Sequence, residues 1–263
     1  MRLKNKKCIV TGAGAGIGRA IAQAFVAEGA SVALLDIDAA KAERAAKAIA
    51  DANSAVSLCR AFRCDVGSSG DVQTAFAQAI SFLGGLDVLV NNAGIISQSS
   101  VASMEEDEWD RIIRTNLKGV FLCSKAGAKE MISAKKGGRI INISSIHAMI
   151  SEPNCAHYAA SKGGIEAFSK TLATELADEH ITVNFVRPGA TYTELTLPMY
   201  SEKVLQALAM RVPMKIVADP AWIAAGVVFL ASDDSRYMTG QDLTIDGGFL
   251  MNGSLPGVKY WER

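Results

Sequence analysis

The chain is expected to fold as an α/β protein, a doubly wound parallel sheet in a single domain, and three observations predict it. Short, almost wholly apolar runs alternate with stretches of helical period from one end to the other. Each apolar run is followed by a helix, the order expected of a parallel sheet covered on both faces. No linker or low-complexity stretch divides the 263 residues, a length that suits one sizeable domain.

The elements follow in order. A strand over 7–11 (Lys7-Cys8-Ile9-Val10-Thr11) runs into a glycine-rich turn, and a helix over 19–29 stops at Gly29. A strand over 31–36 precedes a charged helix over 39–53. Next come a strand over 56–65, a helix over 71–83 and an apolar strand over 86–90. A helix pair around 109–131 leads to a strand over 139–144, a helix over 156–176 and a strand over 182–186. A helix over 220–230 and a strand over 242–245 complete the core, giving about seven strands. Trp109 and Trp222 lie in helical patterns and are expected to pack.

Residues 191–216 break the alternation, with Pro198, Pro213 and three of the nine methionines. A long insertion after the C-terminal end of a strand sits where open α/β sheets bind ligands. It reads as a small substrate lid, the alternative being a structural excursion. Residues 249–263 form a tail whose Tyr260 and Trp261 either close a neighbouring subunit's pocket or dock on the surface.

Composition excludes several classes of function. Hydrophobic residues make up 49% of the chain, enough for a full core. Lys and Arg number 27, as do Asp and Glu, so no electrostatic footprint for nucleic acid exists. The basic cluster over 2–7 precedes a buried strand and reads as a solvated start. No apolar run reaches bilayer length and no signal-peptide pattern is present, so no membrane partner is expected. Five dispersed cysteines without Cys-x-x-Cys spacing point to free thiols in a reducing cytoplasm. His147, His157 and His180 lack a metal-ligand spacing, and no metal is expected.

The turn Gly12-Ala13-Gly14-Ala15-Gly16-Ile17-Gly18 lies between a strand and a helix, the context in which glycines cradle a pyrophosphate. Asp36 ends the next strand, where an acid accepts hydrogen bonds from an adenosine ribose. It also repels a 2′-phosphate. At about 4 Å and an effective dielectric of 20 a charge pair is worth roughly 4 kcal/mol, about half of it after solvent screening. No Arg or Lys stands at 37–40, so NAD(H) is expected over NADP(H).

Tyr158 and Lys162 stand four apart, on one face of a helix, and Ser145 lies thirteen residues upstream. The set supplies a phenol for proton transfer, a cation that favours phenolate, and a hydroxyl to hold an alcohol or carbonyl oxygen. Cys155 has no basic partner nearby in sequence and reads as an inert thiol.

Together these residues resemble the short-chain dehydrogenase/reductases. Thr11-Gly12-x-x-x-Gly16-Ile17-Gly18, Asp65-Val66, Asn91-Asn92-Ala93-Gly94, Asn116, Ser145, Tyr158-x-x-x-Lys162 and Pro188-Gly189 occur in order and at that family's spacing. The resemblance spans nearly the whole chain, to Asp246-Gly247-Gly248, and implies a Rossmann-type fold. It implies Tyr158 as catalytic acid/base and Lys162 as holder of the nicotinamide ribose. Ser145 would bond the substrate oxygen, and Asn116 would position a relay water with Lys162. Asp65 and Val66 would contact adenine, Asn92, Ala93 and Gly94 would line the cofactor, and Pro188, Gly189, Thr191 and Thr193 would hold the nicotinamide end. Thr191 departs from the Ile or Val common there. A homotetramer is also implied.

The loop before Tyr158 resembles that of bacterial glucose 1-dehydrogenases and related sugar or polyol dehydrogenases, with Ser-x-His, Pro153 and His-Tyr-Ala-Ala-Ser-Lys-Gly-Gly in common. His147, Glu152 and Asn154 give a polar mouth suited to hydroxyl groups, with His147 read either as a substrate contact or as a loop residue capping carbonyls. Ile95-Ile96 stand where glucose dehydrogenases carry an acid. The expectation is an NAD-dependent alcohol–ketone oxidoreductase acting on a sugar or polyol. The alternatives are a 3-oxoacyl thioester reductase, which usually draws on NADPH, a hydroxysteroid dehydrogenase, or a dinucleotide-sensing scaffold.

Overall fold

The computed structural model describes residues 1–53 and 58–253. Among these, the apolar runs form seven strands: β1 (Lys7–Thr11), β2 (Ser31–Asp36), β3 (Cys59–Arg63), β4 (Val88–Asn91), β5 (Gly138–Ile143), β6 (Ile181–Pro188) and β7 (Asp242–Ile245). They make one all-parallel sheet in the order β3-β2-β1-β4-β5-β6-β7. The connecting helices are α1 (Gly16–Ala27), α2 (Ala39–Ala52), α3 (Ser69–Leu83), α4 (Glu106–Ile112), α5 (Gly119–Ala134), α6 (Ala156–Leu176), α7 (Glu202–Arg211) and α8 (Pro220–Ala231).

Side chains alternate between the two faces of a strand, and here both faces are buried. Cys8 and Val10 of β1 pack with Ile21 and Phe25 of α1 and Ile223 and Val227 of α8. Ile9, between them in sequence, joins Leu89, Phe76 of α3 and Met131 of α5 on the other face. Continuous hydrophobicity in the strands is thus a consequence of two cores, one on each side of the sheet.

Polar punctuation sets the helix ends. Asp38, Ser68, Ser201 and Asp219 each accept a hydrogen bond from a first-turn backbone N–H, of Lys41, Asp71, Val204 and Ala221. Gly84 ends α3 in the left-handed conformation, φ 71°.

Four sequence expectations are refined. The strand expected over 56–65 is confined to Cys59–Arg63, with 54–57 outside the described residues. The helix pair around 109–131 is one continuous run in which a π-helical segment, Ile113–Lys118, joins α4 to α5. The Gly119 N–H reaches back to the Arg114 carbonyl, an i→i+5 bond that hydrophobic period does not reveal. The segment 191–216 contains a helix, α7, that buries none of its residues and so carries little apolar signal. Trp109 and Trp222 are half-exposed rather than packed inside, at 40% and 49%.

β1 and β4 are sheet neighbours, yet their chains leave toward opposite edges. At such a switch point the connections diverge and open a crevice beyond the carboxyl ends of the strands. The glycine turn follows β1, and Asn92-Ala93-Gly94 follows β4.

Candidate active site

That crevice is a cleft of about 1160 Å³. Gly12, Gly16, Ile17, Asp36, Asp65, Val66, Asn92, Ala93 and Gly94 line one part of it. Ser145, His147, Tyr158, Lys162, Pro188, Gly189, Thr191 and Thr193 line the rest. Two expected site residues are not on its walls. Gly18 lies behind the turn, where an added Cβ would stand 2.2 Å from the Gly12 carbonyl oxygen. Its lack of a side chain lets α1 approach the turn, a packing reason for glycine at this position. Asn116 is fully buried in the π-helical segment. Its amide accepts from the Ile95 N–H at 2.9 Å and donates to the Ile95 carbonyl at 2.9 Å and Ser161 Oγ at 3.1 Å. The side chain is therefore engaged in tying the loop after β4 to α6.

The glycine turn receives an anion at the N-terminus of α1. The Gly16 N–H donates to Glu194 Oε2 at 2.9 Å, and the other carboxylate oxygen lies 3.2 Å from Arg19 Nη2. This carboxylate stands where the N-terminus of α1 offers unpaired N–H groups and a positive dipole end. Gly12, at φ 61°, lets the turn pass Ala93, whose Cα would be 2.7 Å from a Cβ there. Asn92 pins the crossing from the other side, donating to the Thr11 and Gly12 carbonyls at 3.0 Å. Asp36 accepts from the Gly14 N–H at 2.9 Å and the Asp38 N–H at 3.0 Å, which fixes its charge at the cleft wall. Nearby cations are engaged elsewhere: Lys41 with Asp38, Arg63 with Asp71 and Arg114 with Asp65.

At the other end, Gly189 is held by its N–H to the Ile245 carbonyl at 2.9 Å, and Thr191 Oγ1 donates to the Gly189 carbonyl at 2.9 Å. The hydroxyl at 191 thus closes a local turn, which accounts for a Thr where a branched apolar residue would otherwise fit. Thr193 exchanges bonds with Thr196, whose hydroxyl also reaches the Thr191 carbonyl at 2.6 Å.

Tyr158 and Lys162 project from the first turns of α6 to the same place, with the ammonium 5.5 Å from the phenol ring centroid. Burial pushes the Tyr158 phenol up to about 12, partly opposed by its hydrogen bond with Ser145. Burial also brings Lys162 down to about 8, and its ammonium donates to the Ile143 carbonyl at 2.8 Å. The expectation that Lys162 makes the phenol acidic is corrected here. Desolvation governs both groups, and the ammonium is directed at a strand carbonyl.

Around the phenol, His147 stacks edge-on to the Tyr158 ring with centroids 5.7 Å apart. Its Nε2 lies 2.6 Å from Glu152 Oε2, and this bond holds the Glu152 carboxyl below its usual range against burial. Cys155 is buried and its thiol raised by desolvation and by Glu152, as suits an inert thiol. Residues 193–211 contribute Met199, Tyr200 and Leu208 to the cleft, and Phe249 closes it from the tail. Tyr260 and Trp261 lie outside the described residues. Glu194, Tyr200 and Phe249 carry no periodicity or motif, so only the fold brings them in. Among the described residues, no group of three His, Cys, Asp or Glu could hold a metal ion, and no helix is long and apolar enough to cross a membrane.

A doubly wound parallel sheet with an anion-holding glycine turn, and a half-buried phenol beside a buried ammonium in the same cleft, defines the class of dinucleotide-binding α/β oxidoreductases. A family model described as Enoyl-(Acyl carrier protein) reductase matches residues 12–250. A 3-oxoacyl-[acyl-carrier-protein] reductase of Thermotoga maritima is 36% identical over 251 residues, 95% of this chain and 100% of that one. The 3beta-hydroxysteroid dehydrogenase 1 of Eggerthella lenta is 38% identical over 262 residues, 99% of this chain and 98% of that one. The crystal structure of a short-chain type dehydrogenase/reductase from Mycobacterium marinum superposes with a TM-score of 0.89 at 35% identity, covering 94% of this chain and 96% of that one. The chain belongs to the short-chain dehydrogenase/reductase family.

Proposed function

We propose that this protein is an NAD(H)-dependent oxidoreductase that interconverts a secondary alcohol and a ketone on a substrate with an apolar body. The observation that carries the reaction is the half-buried Tyr158 phenol, beside Lys162 and Ser145 in the cleft that the glycine turn also lines. Tyr158 takes the hydroxyl proton in oxidation and returns it in reduction, while Ser145 orients the oxygen. Lys162 holds the ribose next to the phenol, and Asn116 keeps the loop after β4 in register with α6. The bound nicotinamide supplies the hydride acceptor or donor at this point. Gly12, Gly16 and Ile17 hold the pyrophosphate, with Glu194 as its stand-in. Asp65 and Val66 contact the adenine, Asn92, Ala93 and Gly94 line the cofactor, and Pro188, Gly189, Thr191 and Thr193 hold the nicotinamide end. The anchored carboxylate of Asp36 supports NAD over NADP.

The substrate reading rests on the walls. Ile95, Ile96, Ile150, Met199, Leu208 and Phe249 face the cleft, and each buried methylene of a ligand gains about 0.8 kcal/mol there. An unpaired sugar hydroxyl on the same walls would cost about 1–3 kcal/mol. These walls support a hydroxysteroid-like alcohol, in keeping with the name of the Eggerthella lenta relative, a 3beta-hydroxysteroid dehydrogenase. A second reading, a sugar or polyol, is favoured by His147, Glu152 and Gln98 at the mouth. A homotetramer belongs to the same proposal and is supported by the exposed aromatics Trp109 and Phe121 on α4 and α5.

The test is kcat/KM with NAD and NADP across a 3β-hydroxysteroid, a 3-hydroxyacyl thioester, glucose and a polyol. NAD with the steroid is expected to lead. An NADP preference would refute the cofactor assignment, and a sugar preference the substrate class. Tyr158→Phe is expected to abolish turnover with NAD affinity unchanged, and substantial residual turnover would remove Tyr158 as the acid/base.

A further inference from the structure

Among the described residues, four lysine and arginine side chains line the cleft: Arg111, Arg114, Lys162 and Arg211. Three of them have their charge engaged. Arg114 pairs with Asp65, and the Lys162 ammonium donates to the Ile143 carbonyl. Arg111 has Glu108 beside it, a carboxyl that hydrogen bonding with Ser97, and then the charges of His157 and Arg111, hold below its usual range. Arg211 has no carboxylate partner among the described residues. We propose that Arg211 is the anion-binding end of the substrate site, and that the substrate is an apolar secondary alcohol carrying a carboxylate remote from its hydroxyl. The inference deepens the reading of the cleft as an alcohol–ketone site for an apolar body, and rests on it.

The face that α7 turns to the cleft sets the pattern. Val204, Ala207, Leu208 and Arg211 stand at i, i+3, i+4 and i+7, and all four line the cleft. At about 1.5 Å per residue, they lay about 10 Å of helix along it, three apolar side chains and then a cation. A ligand that matches this face is apolar along its length and anionic at its end. No residue of α7 is buried, so this face has no packing partner within the described chain to account for it.

The cation is held in place. Its guanidinium carbon stands over the ring of Phe249, 5.1 Å from the centroid, and Phe249 also lines the cleft. The Asn252 amide donates to the Arg211 carbonyl at 2.8 Å, and the Asn252 N–H to the Phe249 carbonyl at 3.3 Å, so one residue ties the two segments together. Just past the helix, the Met214 N–H donates to the Gly247 carbonyl at 3.2 Å. Cation–π attraction consumes no hydrogen-bond acceptor, so the five guanidinium N–H donors keep their capacity for a ligand. One guanidinium matches a singly charged, planar carboxylate through two parallel N–H···O bonds, whereas a phosphate dianion would leave charge unmatched. The dipole of α7 also favours an arginine in the last turn, but it requires neither Phe249 nor a position on the cleft face.

The test compares kcat/KM, with NAD, for a 3β-hydroxysteroid bearing a side-chain carboxylate and for its methyl ester, in the wild type and in Arg211→Gln. The acid-to-ester ratio is the readout, since a general loss of folding or of catalytic power lowers both values together. The wild type is expected to favour the acid about fivefold, the upper range for a solvent-exposed ion pair, with the difference in KM. That preference should shrink as salt is raised. Arg211→Gln is expected to bring the ratio to about one. Equal wild-type values, or an acid preference that survives in Arg211→Gln, overturns the assignment. A wild type that oxidises the ester without preferring the acid removes the anion site alone. One that oxidises neither steroid removes the apolar-alcohol reading and the anion site with it.

Discussion

At the residue scale, Lys162 shows what burial costs a functional cation. Its side chain is 4% exposed, and its pKa falls to about 8 from 10.5 through desolvation. A depressed folded-state pKa means that the unfolded chain binds the proton more tightly. The stability belonging to this group is complete above pH 10.5, declines as pH falls and is lost below about 8. The shift corresponds to roughly 3 kcal/mol, of which the bond to the Ile143 carbonyl returns about 1. Lys162→Met should therefore unfold at a higher urea concentration than the wild type at pH 7, by about 1–2 kcal/mol, while turnover is lost. The difference should close toward pH 10. A variant that is less stable at pH 7, or a difference independent of pH, would show that the ammonium is not held at a cost. That Tyr158, Lys162, Ser145 and Asp36 share one cleft was legible from sequence because spacing places them. Their proton affinities were not, because desolvation depends on what the rest of the chain packs around them.

At the scale of elements, the same division appears. The five inner strands were legible because both of their faces are buried, and α1 because a glycine turn and a glycine stop bracket it. The π-helical segment and α7 were not, since one alters hydrogen-bond spacing without altering composition and the other has no buried face. Another feature invisible in sequence joins α6 to the sheet. Arg187 of β6 donates to both oxygens of Glu166 at 2.7 Å, Ser144 Oγ donates to one of them at 2.8 Å, and Arg187 Nη1 lies 2.7 Å from Asp242. Glu166 and Arg187 are 5% and 8% exposed. A buried pair contributes little net stability against apolar replacements, but losing one partner strands the other. Glu166→Ala is expected to cost about 3 kcal/mol or more in urea unfolding, and Glu166→Leu with Arg187→Met far less. Equal losses in the single and double variants would mean that packing, and not the unpaired guanidinium, sets the cost. Since Ser144 adjoins Ser145, this network also braces the strand end that leads to the Ser145 hydroxyl in the cleft.

At the scale of the whole molecule, the cleft is assembled from segments far apart in the chain, and one contact closes it across the longest separation. Glu194, in the excursion after β6, reaches the Gly16 N–H and Arg19 at the start of α1. A pyrophosphate entering the glycine turn requires the same N–H groups and the same end of the helix dipole, so it must displace this carboxylate. Both side chains of the ion pair are 50% exposed, which limits its strength. A solvent-exposed pair is worth about 0.2–1 kcal/mol, and a charge at a helix terminus about 0.3–1. Removing the competitor should then gain about 1 kcal/mol, or roughly fivefold in affinity. Glu194→Gln is expected to bind NADH more tightly by about that factor in a fluorescence titration, and the gain should shrink as salt screens the charge. The substitution also removes a charge of the same sign as the pyrophosphate, so both consequences act in one direction. Equal or weaker binding would mean that the carboxylate does not occupy the dinucleotide's place, and that the excursion over 191–216 meets the glycine turn without competing for it.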